Sequence, residues 1–331
     1  MGDTGGFRLL VTALSPRVTA PDILEEFERA GIEVILAECT GSLSEEQLCK
    51  LLPGNDGVWA APDAYTERAL AAADRLKIIA RWGVGIETID LAAATRRGIV
   101  VTNTPGATTE SVADYSFGLI LDLARRLTEM HNALRAGRWE RLWGVDVWRK
   151  TLGIIGFGHI GQGMARRARG FEMTTLAYDP YAPPEAGAEL GAERTSLDDL
   201  LERSDFVTLH ASLTPETRGM IGEAELRRMK PTAFLVNCGR GALVKTDALV
   251  RALREGWIAG AAVDVYDVEP APHDHPLLSL PNCLTLPHSA SLTHECARII
   301  NRMNADDLLA VARGDRPRFV CNPEVYEAGK A

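Results

Sequence analysis

Three side chains suited to acid–base or anion-binding chemistry lie in the second half of the chain, each shortly after an apolar, strand-like run. Arg240 stands between two glycines, Glu269 precedes a proline, and His288 follows one. An arginine can bind a carboxylate through two parallel hydrogen bonds. A histidine titrates near neutrality and can carry a proton, while a carboxylate bonded to it sets its tautomer. Because ligands of open parallel sheets bind beyond the carboxyl ends of the strands, we expect these three side chains to converge there.

Each of the three also has a purely structural interpretation. An arginine between glycines is typical of a surface turn, a Glu-Pro pair often opens a loop, and a Pro-His pair can precede a helix. Their joint position after strands of one predicted sheet favours the functional interpretation.

A glycine-rich motif directly follows an apolar, strand-like segment. Gly156, Gly158 and Gly161 form the pattern G-x-G-x-x-G, and a helical segment comes next. In a dinucleotide site the first glycine permits a tight turn, the second lets the backbone approach the pyrophosphate, and the third lets helix and strand pack closely. The N–H groups at the start of the helix, including those of His159 and Ile160, would face the phosphates.

Asp179 ends the next predicted strand, about 20 residues beyond the glycines, where a carboxylate accepts hydrogen bonds from the adenosine ribose. The same carboxylate would repel a 2′-phosphate, so the sequence predicts NAD (NADH) as cofactor in preference to NADP. Nicotinamide, arginine, histidine and glutamate together form the set of groups that interconverts a 2-hydroxy acid and a 2-keto acid. The sequence therefore predicts an NAD-dependent oxidoreductase acting on a small anionic 2-hydroxy or 2-keto acid.

Strand-like and helical segments alternate along most of the chain, which predicts an α/β fold with parallel sheets covered by helices. In the first part the predicted strands are 8–13, 33–38, 57–60, 77–80 and 99–102, with helices such as 21–30 and 90–97 between them. A second series runs from residue 151 to about residue 287, followed by a helix over 294–313 and an extended tail. Because 331 residues exceed the usual size of one core, we expect two domains.

The predicted architecture is two doubly wound parallel-sheet domains, one flavodoxin-like and one Rossmann-like, separated by an active-site cleft. Residues 1–102 plus 291–331 would form a discontinuous substrate-binding domain, because the C-terminal helix and tail do not look like part of the nucleotide-binding unit. Residues 103–290 would form the NAD-binding domain. This second domain includes a long predicted helix near 109–134, whose apolar residues spread widely around it as in a subunit interface.

A connector rich in tryptophan and arginine, residues 138–148, links that helix to the glycine-rich motif. Trp139, Trp143 and Trp148 fit a packed loop better than direct substrate contact. The sequence leaves open whether the connector lines its own active site or that of a partner subunit.

Composition argues against several classes of function. The net charge of −9 argues against nucleic acid or an anionic membrane as the main partner. No apolar run approaches the ~20 residues that span a bilayer, and the N-terminus lacks the regions of a signal peptide, so a cytoplasmic location is expected. The six cysteines form no C-x-x-C pair and no zinc-like spacing, so we expect reduced thiols and no metal.

From about Arg8 to Pro323, the chain resembles the D-isomer-specific 2-hydroxyacid dehydrogenase family, close to its phosphoglycerate dehydrogenase branch. The segments that carry the resemblance are 81–85, 102–106, 139–141, 156–161, 178–180, 237–241, 264–265, 269–270 and 287–288. The resemblance implies a catalytic trio and a set of substrate contacts. The implied trio is Arg240, Glu269 and His288; the implied substrate contacts are Arg81, Arg240 and the backbone N–H groups around Val84 and Gly85. The further cofactor contacts are His210, Cys238, Gly239, Asp264 and Ala290, with Asp264 on the nicotinamide amide.

The resemblance also implies a homodimer, because family members typically dimerise through the helix after the Thr-Pro-Gly turn. Three positions depart from the phosphoglycerate branch. Trp59 stands where that branch carries a substrate-phosphate arginine, Trp82 replaces a small residue, and Asp114 stands where glutamate is common. These departures count against a phosphate-bearing substrate such as 3-phosphoglycerate, and hydroxypyruvate or glyoxylate are the other candidates.

Two alternative functions stay open at this point. One is a dehydrogenase of phosphite or of a phosphonate-bearing acid, which would use the same trio. The other is a non-catalytic, NAD(H)-sensing interaction protein that resembles corepressors built on this fold.

Overall fold

The chain divides into two compact units in a computed structural model that describes residues 6–39, 41–183 and 185–327. Unit 1 comprises Met1–Thr108 and Leu292–Ala331, and unit 2 comprises Thr109–Ser291. Each unit contains a parallel sheet, which confirms the predicted α/β fold with two parallel-sheet domains. Their assignment as substrate-binding and NAD-binding domains stays a prediction.

Unit 1 is built on a five-stranded sheet in the order β2-β1-β3-β4-β5, the flavodoxin-like order. All of its strand pairs are parallel. The strands are β1 Arg8–Val11, β2 Glu33–Leu36, β3 Gly57–Ala60, β4 Ile78–Arg81 and β5 Val100–Thr102. The helices are α1 Ser15–Thr19, α2 Pro21–Arg29, α3 Glu45–Leu51, α4 Glu67–Ala72, α5 Leu91–Arg96 and, from the C-terminal part of the chain, α12 His294–Ala312.

The C-terminal helix belongs to unit 1 because it shares a core with the first strands. Ala305, Leu308 and Leu309 of α12 are buried with Phe27 and Trp59. Most boundaries differ from the predicted ones by one or two residues, and polar caps explain some of these shifts. Asp90, for example, is the N-cap of α5, since its carboxylate accepts the N–H of Ala93 at 2.8 Å.

Unit 2 contains a seven-stranded parallel sheet in the order β12-β11-β10-β9-β6-β7-β8. Its strands are β6 Thr151–Ile155, β7 Thr174–Tyr178, β8 Ala192–Arg194, β9 Phe206–Leu209, β10 Phe234–Asn237, β11 Gly260–Val263 and β12 Cys283–Thr285. Its helices are α6 Thr109–Arg125, α7 Leu127–Arg135, α8 His159–Gly170, α9 Leu197–Arg203, α10 Glu223–Arg228 and α11 Thr246–Glu255. Short 3₁₀ helices occupy Ala188–Leu190, Gly241–Leu243 and Pro276–Ser279, and Pro323–Tyr326 in unit 1.

The central strand β6 is the point at which the strand order of unit 2 reverses. It pairs with β7 on one side and with β9 on the other. Its side chains alternate between two cores, since Leu152 and Ile154 pack towards α6 and α8, whereas Ile155 packs with Leu200 and Leu209. Ligands of such sheets bind at the carboxyl ends of the strands beside this reversal.

The predicted single helix over 109–134 is divided in the structure, so that prediction was wrong. Arg126 adopts a left-handed conformation (φ 53°, ψ 41°) between α6 and α7. The carboxylate of Asp122 accepts the backbone N–H of Thr128 at 2.8 Å and also its hydroxyl, which satisfies the start of the second helix. No glycine or proline marks the break, so sequence pattern alone did not reveal it.

The predicted packing of the tryptophan-rich connector was also wrong for two of its three indoles. Trp139 is 82% exposed and Trp143 is 95% exposed, whereas Trp148 is about half exposed beneath the guanidinium of Arg149. The connector passes the end of α6, where Val145 N–H donates to the carbonyl oxygen of Ala124 at 2.8 Å. Among the residues that the structure describes, no helix is both long and apolar enough to cross a membrane.

Candidate active site

The glycine-rich turn lies between β6 and α8, and its three glycines have different surroundings. Gly156 has φ 89°, and a Cβ there would lie 2.4 Å from the backbone nitrogen of Ala211. A Cβ on Gly161 would lie 2.2 Å from the carbonyl oxygen of Gly156. A Cβ on Gly158, in contrast, meets no described heavy atom within 4 Å. The first and third glycines are therefore required by packing, while the middle one faces open space.

The start of α8 has the features of an anion site. Gly158 and His159 are exposed, Ile160 is partly buried, and no described side chain caps this helix terminus. The unsatisfied N–H groups and the helix dipole together favour a phosphate group at such a terminus. The open space at Gly158 and this uncapped terminus fit the pyrophosphate of a dinucleotide.

Asp179 lies at the end of β7, next to the glycine-rich turn, and is held by backbone groups. One carboxylate oxygen accepts the N–H of Phe157 at 2.8 Å, and the other accepts those of Tyr181 and Ala182 at 2.9 and 3.1 Å. The side chain of Arg194 donates to the carbonyl oxygen of Asp179 at 2.8 Å. The carboxylate is thus fixed beside the turn and only partly buried, as a ribose-binding group requires.

Two further predicted cofactor contacts lie at the ends of β9 and β10. His210 Nε2 is 2.9 Å from Thr208 Oγ1, and its buried Nδ1 has no hydrogen-bond partner among the described residues. Burial lowers the pKa of His210 to about 3, so its imidazole is neutral at physiological pH. Cys238 is buried, which raises the pKa of its thiol to about 12 and keeps it unreactive.

Arg240 follows β10 in a turn that is determined by backbone packing. Asn237 Nδ2 donates to the carbonyl oxygen of Arg240 at 2.9 Å, while its Oδ1 accepts the N–H of Gly239 at 3.1 Å. A Cβ on Gly241 would lie 2.1 Å from the carbonyl carbon of Tyr266, so the chain needs glycine there. The Arg240 side chain is partly buried and donates from Nη1 to the carbonyl oxygen of Gly239 at 2.9 Å.

The structure brings Glu269 and His288 into direct contact. Glu269 Oε2 lies 2.6 Å from His288 Nδ1, and Oε1 accepts the N–H of Tyr266 at 2.9 Å. Burial acts to raise the pKa of Glu269, but His288, the Tyr266 N–H and the charge of Arg240 outweigh it and hold that pKa below its usual value. The carboxylate is therefore ionised near neutrality. Because Nδ1 is engaged, Nε2 is the nitrogen that can exchange a proton with a ligand.

His288 is held in a strained backbone conformation by Asp264, which follows β11. His288 has φ 51°, and its N–H donates to the carbonyl oxygen of Asp264 at 2.8 Å. The buried carboxylate of Asp264 accepts the N–H groups of Ser289 and Ala290, both at 2.9 Å. Sequence reasoning assigned Asp264 and Ala290 to the cofactor alone and missed this second task of the carboxylate.

The predicted substrate contacts of unit 1 lie at and after the end of β4. Arg81 ends the strand and is partly buried. Gly83, two residues later, has φ 121°, a backbone conformation that favours glycine, and a Cβ there would lie 2.7 Å from Arg81 Nη1. Val84 is 40% exposed, and its carbonyl oxygen accepts Asn103 Nδ2 at 2.7 Å. Gly85 follows Val84 and is partly buried.

The two tryptophans that depart from the phosphoglycerate branch, at positions 59 and 82, pack against α12 and hydrogen-bond to it. Trp59 is fully buried, and its indole donates to Asn304 Oδ1 at 3.1 Å. Trp82 is partly buried and donates to Asn301 Oδ1 at 2.7 Å. Both indoles are thus engaged by α12. Within 6–39, 41–183 and 185–327, no group of three or more metal-ligating side chains occurs.

The chain is similar to proteins of one dehydrogenase family. Residues 117–290 match the family model of the D-isomer specific 2-hydroxyacid dehydrogenase NAD binding domain. A glyoxylate reductase of Korarchaeum cryptofilum is 48% identical over 271 residues, covering 80% of this chain and 82% of that protein.

Solved structures show the same similarity. A glyoxylate reductase from Paecilomyes thermophila superimposes with a TM-score of 0.85 at 31% identity, covering 96% of this chain and 99% of that one. An NAD-dependent formate dehydrogenase from Staphylococcus aureus in complex with NAD gives a TM-score of 0.80 at 32% identity, covering 92% and 95%. The phosphoglycerate dehydrogenase branch stays a prediction. The chain belongs to the D-isomer-specific 2-hydroxyacid dehydrogenase family and is an NAD-dependent oxidoreductase.

Proposed function

We propose that this enzyme reduces glyoxylate or a similarly small, unphosphorylated 2-keto acid with NADH. The observation that carries the proposal is the 2.6 Å contact between Glu269 Oε2 and His288 Nδ1 at the strand ends of the dinucleotide-binding sheet. The glyoxylate reductase relatives support the small substrate. The buried indole at position 59 supports the absence of a substrate phosphate, because it leaves no cation there.

The proposed roles follow from the chemistry of the three side chains and from the contact between Glu269 and His288. NADH, when bound, supplies the hydride that reduces the carbonyl carbon. His288, protonated and held by the ionised Glu269, donates its Nε2 proton to the carbonyl oxygen. Arg240 binds the substrate carboxylate and polarises the carbonyl, since a guanidinium offers two parallel donors. In the oxidising direction the neutral imidazole accepts the proton instead.

We propose further that the cofactor and substrate contacts inferred from the sequence apply here. The cofactor contacts are Gly156, Gly158, His159, Ile160, Gly161, Asp179, His210, Cys238, Gly239, Asp264 and Ala290. The substrate contacts in unit 1 are Arg81 and the N–H groups of Val84 and Gly85.

A substrate panel tests the reaction. NADH oxidation would be measured with glyoxylate, hydroxypyruvate, pyruvate and phosphohydroxypyruvate, and NAD⁺ reduction with phosphite. The proposal expects the highest kcat/KM for glyoxylate or hydroxypyruvate. Higher efficiency with phosphohydroxypyruvate or with phosphite would overturn the proposed substrate, and NADH binding without turnover of any acid would overturn the reaction.

Preference for NADH over NADPH is a separate proposal that rests on the fixed carboxylate of Asp179. Asp179→Ser should weaken NADH binding and strengthen NADPH binding, changing their ratio on the order of tenfold or more, because a charge–charge repulsion is removed. Fluorescence titration with both cofactors measures the ratio. Glu193→Gln on the adjacent β8, whose carboxylate pairs with Arg203, is the control and should leave the ratio unchanged. An unchanged ratio in Asp179→Ser would contradict the proposal.

A homodimer is also proposed, on the basis of the exposed indoles of the connector. Trp143 lines a cavity of about 430 Å³ together with residues of α6, the Arg126 turn and the starts of β10 to β12. The lining is mostly apolar but includes Asp122, Arg126 and Glu129. A fully exposed tryptophan beside such a cavity is typical of an interface rather than of a solvated surface. A second copy of the chain is the partner that the family resemblance indicates.

A further inference from the structure

The turn that carries His288 is contacted by a tyrosine of α6 that the proposed mechanism does not use. Tyr115 Oη lies 2.9 Å from Ser289 Oγ and 3.4 Å from Asp264 Oδ1. Ser289 Oγ itself lies 3.5 Å from the same carboxylate oxygen. These three side chains belong to different parts of unit 2, and they meet directly behind the residue that would transfer the proton.

The backbone at His288 needs such support. A side-chain-bearing residue with φ 51° occupies a region that costs free energy and persists only where the surroundings enforce it. The enforcing contacts are the N–H groups of His288, Ser289 and Ala290, all of which donate to Asp264. A contact that fixes the Asp264 carboxylate relative to Ser289 therefore also fixes the turn that orients the His288 imidazole towards Glu269.

Tyr115 has the properties that this task requires. It is partly buried and packs among the apolar residues beneath α6, so the helix fixes the position of its ring. Burial raises the pKa of its phenol, so the hydroxyl keeps its proton and can donate to Ser289 or Asp264. A phenylalanine would fill the same space without the donor.

We propose that Tyr115 is a positioning residue for the proton-transfer step, acting through Ser289 and Asp264 on the left-handed turn at His288. The kinetic test of this inference rests on the proposed function, because it measures turnover of glyoxylate at the same site. Tyr115 itself transfers no proton to or from the substrate in this proposal.

Kinetic analysis of Tyr115→Phe tests the inference. With glyoxylate and NADH, the variant should lower kcat about 3- to 10-fold, the range expected for one lost hydrogen bond, with the KM for NADH nearly unchanged. Tyr326→Phe, which removes one phenol hydroxyl in unit 1, is the control and should keep wild-type kinetics. A kcat for Tyr115→Phe equal to wild type would overturn the proposal.

A double-mutant cycle separates this task from a general packing effect. Ser289→Ala should lower kcat as much as Tyr115→Phe does. The double variant should be no slower than either single variant, because all three variants remove the same hydrogen bond between Tyr115 and Ser289. Additive losses would overturn the proposed route through Ser289. A rise in the KM for NADH without a fall in kcat would instead assign Tyr115 to cofactor binding.

Imidazole NMR provides a readout that does not need turnover. In ¹⁵N-histidine-labelled protein saturated with NADH, Tyr115→Phe and Ser289→Ala should move the ring signals of His288 and leave those of His131 in place. Unmoved His288 signals would overturn the inference even in an active enzyme. A wild-type protein that turns over no keto acid would count against the proposed function, while the NMR result would still decide this inference.

Discussion

At the scale of single residues, the contact between Glu269 and His288 is the central feature. Its 2.6 Å separation engages Nδ1 and leaves Nε2 for a ligand. The carboxylate is ionised because His288, the Tyr266 N–H and Arg240 together outweigh the effect of burial. This arrangement suits a histidine that must accept and release a proton without changing its orientation.

Replacing the histidine should remove proton transfer without affecting the cofactor. His288→Asn is expected to lower kcat with glyoxylate by ~10²–10⁴, as is typical when a general acid–base group is lost. NADH affinity should stay at the wild-type value, because the glycine-rich turn is untouched. Steady-state kinetics and fluorescence titration measure the two quantities. Near-wild-type turnover in this variant would refute the role of His288.

The lowered pKa of Glu269 predicts a pH-dependent contribution to stability. Its folded pKa lies below the usual 4.5, so the ionised group stabilises the fold above that value, and this stabilisation is lost as pH falls through the folded pKa. Wild type should therefore exceed Glu269→Gln in free energy of unfolding at pH 7, and the difference should shrink below about pH 4.5. Urea unfolding at several pH values measures it. A pH-independent difference would contradict the assignment.

The same comparison in the His288→Asn background provides the control. There Glu269 lacks its imidazole partner, so the pH dependence of the difference should be smaller. An equal dependence in both backgrounds would mean that His288 is not a source of the shift.

At the scale of elements, the turn between β6 and α8 separates the packing role of glycine from its binding role. Gly161→Ala should lower the Tm, because its Cβ would lie 2.2 Å from the Gly156 carbonyl oxygen. Gly158→Ala should keep the wild-type Tm, since its Cβ enters open space, but should weaken NADH binding by crowding the pyrophosphate. Thermal unfolding and NADH titration test both. Undiminished NADH affinity in Gly158→Ala would place the pyrophosphate elsewhere.

Element boundaries depended on side-chain contacts that a periodic pattern does not contain. The pattern of apolar residues in 109–134 continues through Arg126, yet the Asp122 carboxylate bonds Thr128 and ends one helix so that another can begin. Residue types were also insufficient in the connector. Its three tryptophans predicted packing, but no described element of the chain covers Trp139 or Trp143.

At the scale of the whole molecule, the uncovered connector predicts self-association. Trp143→Arg should convert the proposed homodimer into a monomer, because a charge would be buried in an apolar interface. Val18→Arg, at an 82% exposed apolar residue of unit 1, is the matched control and should not change the mass. Multi-angle light scattering measures the mass. A dimeric Trp143→Arg variant, or a wild-type monomer, would rule out this interface.

The sequence by itself determined the parts of the protein that depend on local pattern. Alternating strands and helices predicted two parallel-sheet units, and G-x-G-x-x-G with Asp179 predicted the dinucleotide turn, because close packing at Gly156 and Gly161 leaves no room for a side chain. Arg240, Glu269 and His288 could also be named in advance, since each follows a strand of one sheet and their carboxyl ends must meet at one edge.

Only the tertiary structure decided how those side chains are held. The contact of Glu269 with His288, the carboxylate of Asp264 beneath the turn, and the phenol of Tyr115 behind Ser289 join segments far apart in sequence. Such contacts require that packed elements be positioned to within a few tenths of an ångström. Residue types and their spacing in the sequence do not specify positions that finely. The hydrogen bond from the Trp59 indole to Asn304 could not be predicted for the same reason, since the two residues are 245 positions apart in the sequence.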